Sequence, residues 1–298
     1  MHIENLKVFV SLAETQSFSR TGKLHGITQS AVSQQLRALE NHFGVQIVDR
    51  NQKIFRLTRE GECLRAAAQD ITRGYDILIN DLKEMRHEIA GTIRLSTIYS
   101  IGLHELPPIV KHFLSKYRTV DVRIAYRRSN LVVEDILRGE ADLGLIAYPT
   151  KTRDLEVIPF AEDCLVVICN PAHPLAKRKR VKLAELASQC FIGFDHDIPT
   201  RKATDRIFCE YGVKLVPSME FDNVETLKRA VEVGAGVALV PAETVRQEVA
   251  QQTLVELSLE DCHIKRPLAY IHRKTAVLTP AMVRLVDTST ELGKASLT

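Results

Sequence analysis

The chain has 298 residues, of which 45% are hydrophobic and 26% charged, with a formal net charge of +3. It is long enough for about two or three domains, each with a core of its own. No apolar run approaches the ~18 residues of a membrane helix, and Met1 to Lys7 lack the apolar centre of a signal peptide, which argues against a membrane span and predicts a cytoplasmic protein.

The first predicted element is a helix with Leu6, Phe9, Val10 and Ala13 on its apolar face. It completes a three-helix core with the stretch from Phe18 to Arg50, which reads as a helix, a tight turn and a second helix. Gly26 can take φ > 0 and stop the former, and the Thr28 hydroxyl can cap the latter. Val32, Leu36, Leu39 and Phe43 recur at four, three and four residues, which predicts one buried stripe. Gln29, Ser30, Ser33, Gln34 and Arg37 then point away from it. Short amide and hydroxyl side chains near the start of such a helix reach base edges in a major groove, while helix-start N–H groups and Arg37 bond phosphate oxygens. The alternative is a plain helical bundle with a polar outer face.

Ile47 to Leu57 read as two short strands around a polar, basic tip, the wing of a winged helix-turn-helix, whose cations lie along phosphate. From the N-terminus to Arg59 there are eight Lys and Arg against four Asp and Glu, so the positive charge of the chain is concentrated here. The expected DNA-contacting residues are Thr28, Gln29, Ser30, Ser33, Gln34, Arg37, Arg50 and Lys53, in a domain covering 1–58.

These residues resemble the LysR-type transcriptional regulators, and the resemblance runs along nearly the whole chain. Its most specific part is Phe9 to Gly61: Phe9, Ser17-Phe18-Ser19, Leu24-His25, Thr28 to Ser33, Gln35, Leu39-Glu40, Gly44, Arg50 and Leu57-Thr58-Arg59-Glu60-Gly61. Two positions depart from the family pattern. Thr21-Gly22 replaces a pair of alanines, and Val48 replaces Phe. A mid-helix Gly costs about 1 kcal/mol relative to Ala, so the second helix is either less stable or packed unusually close to a neighbour.

After the wing, Leu64, Ala68, Ile71, Tyr75, Leu78, Leu82, Met85 and Ile89 alternate spacings of four and three. That is a heptad seam, and it predicts a linker helix over 59–90 paired with a second copy of itself. Thr58 can cap it, and Glu60 and Glu62 suit its positive end. The alternative is an amphipathic helix covering its own C-terminal domain. A dimer presents two winged helices symmetrically, matching double-stranded DNA with two-fold related half-sites. The resemblance implies a dimer through this helix and assembly to a tetramer.

From Ile93 onward, short apolar runs alternate with helical stretches, which predicts βαβ units and mostly parallel sheets over 91–298. Val133-Glu134 opens a helix leading through Gly139 to a strand and Pro149; Val224-Glu225 opens one leading through Gly234 to a strand and Pro241. The copies are offset by about one helical turn and suggest two similar subdomains, 91–161 with 268–298 and 162–267. Two chain crossings make a hinge, and the resemblance implies a periplasmic-binding-protein-like effector domain. The expected fold class is therefore α/β: a winged helix-turn-helix and long linker helix, then this two-subdomain effector domain.

Open α/β sheets bind ligands at the carboxyl ends of strands, beside helix N-termini. Ser100, Ser129 and Asn130 on one side, and Thr200, Arg201 and Asn223 on the other, follow strands and precede helices. Each of them can also be a helix cap and no more. As a set they predict a cavity for a small carboxylate or other oxyanion.

Other motifs carry little. Lys177-Arg178-Lys179-Arg180 reads as a solvated loop. The ten histidines show no metal-ligand spacing, and no phosphate-binding glycine loop or Gly-x-Ser-x-Gly elbow occurs, so no metal, cofactor or enzymatic activity is expected. The six cysteines lack Cys-x-x-Cys spacing and read as reduced thiols, with a redox pair between Cys190 and Cys209 as the alternative. A ligand-responsive, DNA-binding regulator is the expected function; a solute-binding protein or an enzyme on the same bilobal scaffold are the competing readings.

Overall fold

The computed structural model describes residues 2–49, 55–84 and 89–295. The chain divides into two units, Met1–Glu88 and Ile89–Thr298. In the first, helices α1 (Ile3–Thr15), α2 (Phe18–His25) and α3 (Gln29–Phe43) are followed by the long α4 (Arg59–Glu84). Leu6, Phe9, Leu12, Val32, Leu36, Leu39, Ile47 and Ala68 form its core, all at most 5% exposed. Each such Leu or Phe contributes about 1.5–3 kcal/mol through burial. Phe43 leaves the expected stripe: it is half-exposed, edge-on to the His42 ring.

Much of the segment that resembles the family is scaffold. Ser17 caps α2 by accepting from Arg20 N–H, Thr28 caps α3 by accepting from Ala31 N–H, and Thr58 caps α4 by accepting from Gly61 N–H at 2.9 Å. The buried Glu40 carboxylate accepts from Ile47 N–H at 3.1 Å. Gly22 takes the close-packing option: a Cβ there would stand 2.7 Å from the Ile27 carbonyl oxygen, and Thr21 beside it is buried against Thr15 and Ser17. Among the described residues of the expected wing, Val48 and Leu57 form a bridge and Asp49 N–H donates to Arg56 O at 2.9 Å. The expected tip, Arg50 to Ile54 with Lys53, lies outside the described residues.

The expected seam is divided. Leu64 and Ala68 pack into the first unit's core, Ile71, Tyr75, Leu78 and Leu82 are exposed, Met85 lies outside the described residues, and Ile89 packs into a core of the second unit. Lys7 fixes α1 to α4 through Asp76 at 3.0 Å and stands 5.0 Å over the Tyr75 ring.

In the second unit the order is β1 (Gly91–Thr97), a π-helical turn (Ile101–Glu105), α5 (Leu106–Lys116), β2 (Val120–Tyr126), α6 (Ser129–Arg138), β3 (Leu143–Ala147), β4 (Leu155–Cys169), β5 (Arg180–Val181), β6 (Phe191–Phe194), α7 (Pro199–Glu210), β7 (Met219–Phe221), α8 (Val224–Glu232), β8 (Val237–Pro241), α9 (Arg246–Ala250), β9 (Val255–Leu259), β10 (Lys265–Arg273) and α10 (Pro280–Ala295). The main sheet runs β2-β1-β3-β10-β4-β8-β6-β7. It is mixed rather than mostly parallel. β1, β2 and β3 are parallel, as are β6, β7 and β8, but β10 is antiparallel to β3 and β4, and β4 to β8. The 15-residue β4 is continuous: its first part pairs with β10 and its last part with β8 and β9. It is one of two strands that carry the chain between the halves, and a crossing strand of this kind runs against its neighbours.

The internal echo is closer than expected. Helix α6 begins at Ser129 rather than near Val133, so Gly139 and Gly234 both fall ten positions after the first residue of their helices. Pro107 and Pro108 lie in the first turn of α5, where no N–H is needed. Sheet faces are filled by Leu95, Phe113, Tyr270 and Leu285 in one half, and by Val167, Ile192, Leu227 and Leu239 in the other. No helix among the described residues is long and apolar enough to cross a membrane.

Candidate DNA-reading face and ligand cavity

Thr28, Gln29, Ser30, Gln34 and Arg37 are exposed on α3 and Ser33 is half-buried. At 100° per residue, positions 29, 30, 33, 34 and 37 share one side, opposite the Val32, Leu36 and Leu39 stripe. The start of α3 therefore carries two hydroxyls, two amides, a guanidinium and helix-start N–H groups within about two turns. Thr28 and Ser30 hydroxyls are 2.8 Å apart, and Arg37 follows two turns later. Arg50 and Lys53, the expected phosphate contacts of the wing, are not described.

In the second unit a cavity of about 340 Å³ lies between the two halves of the sheet. Ser100, Ser129, Asn130, Thr200 and Asn223 all border it. They come from the entrance to the π-helical turn, from the first turn of α6, from the first turn of α7 and from the N-cap of α8, so four helix starts converge on one space. Two expectations about side chains change. Arg201 is absent from the cavity wall: it pairs with Asp205 at 2.8 Å and Glu220 at 2.7 Å and donates to Phe194 O, which ties α7 to the sheet edge. The Asn223 side-chain oxygen Oδ1 accepts from the N–H groups of Glu225 and Thr226, the N-cap use.

Sequence reasoning missed the cations of the wall. Arg127, Arg128, Lys202 and Arg266 border the cavity, against Asp197 and Asp222. Arg127 pairs with Asp135 at 3.4 Å, and Arg128 reaches across to Asp195 and Asp197 at 3.0 and 2.8 Å, while His104 meets Glu225 at 2.8 Å. Burial raises Glu225, but hydrogen bonds from His104 and Lys228 hold its carboxyl below the usual range. Arg127 and Arg128 directly precede Ser129 in the sequence and were legible as neighbours of a candidate. Arg266 was not: nothing local marks a cation at the head of an apolar strand as buried. Apolar wall is supplied by Ile98, Tyr99, Ile146, Phe194 and Tyr148, the last in the left-handed region at φ 50 with its hydroxyl donating to Lys265 O.

No group of three or more His, Cys, Asp or Glu among the described residues is placed to hold a metal. All six cysteines are free thiols, and the Cys190 sulfur lies 3.0 Å from the Ser218 hydroxyl. Arg178 of the basic run is held by Glu185 at 2.6 Å.

Residues 3–62 match the family described as "Bacterial regulatory helix-turn-helix protein, lysR family", and residues 86–293 match "LysR substrate binding domain". The chain is 25% identical over 272 residues to the HTH-type transcriptional regulator CysL of Bacillus subtilis, covering 91% of each. Its fold is similar to full-length CbnR complexed with its target DNA, with a TM-score of 0.69 and 19% identity over 98% of this chain and 100% of that one. It is also similar to the effector binding domain of QuiR in complex with shikimate, with a TM-score of 0.63 and 22% identity over 69% of this chain and 98% of that one.

Proposed function

We propose, given that the chain belongs to the LysR family of bacterial transcriptional regulators, that its α3 face reads operator bases and that a small anionic metabolite binds the cavity of the second unit and controls the response. The observation that carries the anionic reading is the wall of the cavity: four cations against two carboxylates, beside four helix starts with their N–H groups and positive dipole ends. Its apolar wall suits a ligand with a hydrocarbon body and one charged end. CbnR is complexed with a target DNA and the effector binding domain of QuiR with shikimate, which supports the same division of labour between the two units. Residues 1–58 are then the DNA-binding domain, 59–90 the dimerising linker and 91–298 the effector domain of a cytoplasmic homo-oligomer, a dimer or a tetramer.

Such a ligand shifts an equilibrium between open and closed cleft only to the extent that it prefers one of them. Arg128 and His104 already bridge the cleft through Asp195, Asp197 and Glu225, so closure has protein contacts of its own.

On DNA, Gln29→Ala is expected to weaken the specific operator by about 1 to 3 kcal/mol and relax base preference, as loss of a base contact does. Lys53→Ala is expected to weaken all sequences alike and lower the salt slope by about 1. Gel retardation of the chain's own promoter fragment at several salt concentrations separates them; a uniform loss for Gln29→Ala shows that the roles are exchanged. In the cavity, Ser100→Ala is expected to weaken effector binding by calorimetry and blunt induction while leaving ligand-free operator affinity nearly intact. Unchanged binding and induction reduce Ser100 to a structural hydroxyl.

A further inference from the structure

Among the described residues, Arg266 is the largest fully buried side chain, 1% exposed, at the second residue of β10. It stands where β10 and β4 carry the chain between the two halves, and its register partner on β4 is Asp163. Its contacts are few for a buried guanidinium. One terminal nitrogen donates to the Ser100 hydroxyl at 2.5 Å, the other reaches Asp163 at a long 3.4 Å, and Nε has no partner. A buried, unsatisfied charged donor carries the full desolvation cost of that N–H. Among the described residues, this is the one unpartnered buried side-chain donor that borders the ligand cavity. The other cations of the wall are engaged or at the rim: Arg127 with Asp135, Arg128 with Asp195 and Asp197, and Lys202 in solvent.

We infer that Arg266 is the anion receptor of the cavity, its unpartnered Nε and the Ser100 hydroxyl taking the effector's carboxylate or oxyanion, so that the ligand shares with Asp163 the one buried cation of the crossover. The inference rests on the anionic-effector reading above and adds the residue and its electrostatic consequence. Ser100 accepts from Arg266, which leaves its own hydroxyl proton free to be donated to the ligand.

The consequence follows from counting charges around that guanidinium. Asp163 on β4, Glu105 on the π-helical turn, Tyr148 after β3, Glu243 and Arg246 beyond β8, and Glu256 on β9 surround the crossover, with His104 beside Glu243. Burial raises the Asp163 carboxyl, opposed mainly by Arg266. Burial, with the charges of Asp163 and Glu243, pushes Glu105 up to about 7. A further anion on Arg266 raises both carboxyls again, because two negative groups then share one cation in a medium of low dielectric. The complex therefore takes up protons from solvent as it forms, and affinity rises as pH falls from above toward about 7 and levels off below it.

The test is titration calorimetry on the full-length protein with carboxylates from acetate to benzoate, each beside its neutral amide, at one pH in PIPES and in Tris. The wild type is expected to bind a carboxylate and not its amide, with an enthalpy that differs between the buffers in the sense of proton uptake. Arg266→Met alone leaves Asp163 unpaired and risks misfolding, so the deciding variant is Arg266→Met with Asp163→Asn, which removes both charges of the pair. It is expected to lose about tenfold or more in carboxylate affinity and the preference over the amide, while Glu105→Gln keeps the affinity at low pH and flattens the buffer dependence. If the double variant binds the carboxylate as the wild type does, or if binding is free of buffer dependence, Arg266 is not the receptor and the anionic reading survives it. If the wild type binds no carboxylate of the series, both fall together.

Discussion

Leu78→Lys is expected to convert the protein to monomers in sedimentation experiments and to abolish tight operator binding. Leu78 is 53% exposed on α4, in line with Ile71 at 49%, Tyr75 at 39% and Leu82 at 49%. Four large apolar side chains at alternating spacings of four and three are what a partner helix covers, and a single chain leaves them in water. Lysine at position 78 places two like charges across a two-fold seam, with no carboxylate of the stripe to meet them. Operator affinity then falls by about two to four orders of magnitude, because each winged helix must bind without the effective concentration supplied by its twin. Leu78→Met, which keeps the volume and the apolar surface, is expected to remain dimeric. A lysine variant that sediments as a dimer and binds normally places the interface elsewhere.

The second large effect is expected at Gly61, in the first turn of α4. A Cβ there would stand 2.2 Å from the Ile47 carbonyl oxygen and 3.1 Å from its carbon, so Gly61→Ala cannot be absorbed by turning a side chain. Either the start of α4 or the Ile47–Val48 segment must move. Both are pinned, Thr58 by its hydrogen bonds to Gln46 O and Ile47 O, and Ile47 by the Glu40 carboxylate and a fully buried side chain. Overpacking against fixed backbone costs about 3 kcal/mol or more. In a domain of this size that lowers the midpoint of the winged-helix transition by about 12 °C or more. Scanning calorimetry should show that transition displaced and the transition of the second unit unmoved, with operator binding lost at growth temperature. An unchanged midpoint would mean that α4 starts with a different geometry.

Gly61 also shows how the family-like segment is to be read. Ser17, Thr28, Glu40, Thr58 and Gly61 cap helices, satisfy a buried backbone N–H or permit close packing, and Thr28 alone among them is also on the exposed face. A match over this segment is therefore first a statement about the scaffold. The reading of DNA proposed above would then fall to a handful of exposed side chains on α3.

The features legible in the sequence are those set by neighbours along the chain. The stop at Gly26, the caps at Thr28 and Thr58 and the stripe of Val32, Leu36 and Leu39 depend on dihedral preference and on a period of 3.6, which are properties of a few consecutive residues. So does the convergence of Ser100, Ser129, Asn130, Thr200 and Asn223, because every strand-to-helix transition of an open α/β sheet opens on the same edge. Features that depend on partners far along the chain emerge only once it has folded. The apolar periodicity of α4 did not show that Leu64 and Ala68 belong to the winged-helix core while Ile71 to Leu82 stay exposed. Arg201 was drawn from the cavity by Asp205 and Glu220, which compete for its guanidinium. Arg266 became the buried cation of the cavity only because β10 returns to pair with β4, more than a hundred residues earlier in the chain, and this pairing sets Asp163 beside it and Ser100 within reach. Local propensity carries no term for such a meeting; burial and charge pairing between distant segments do.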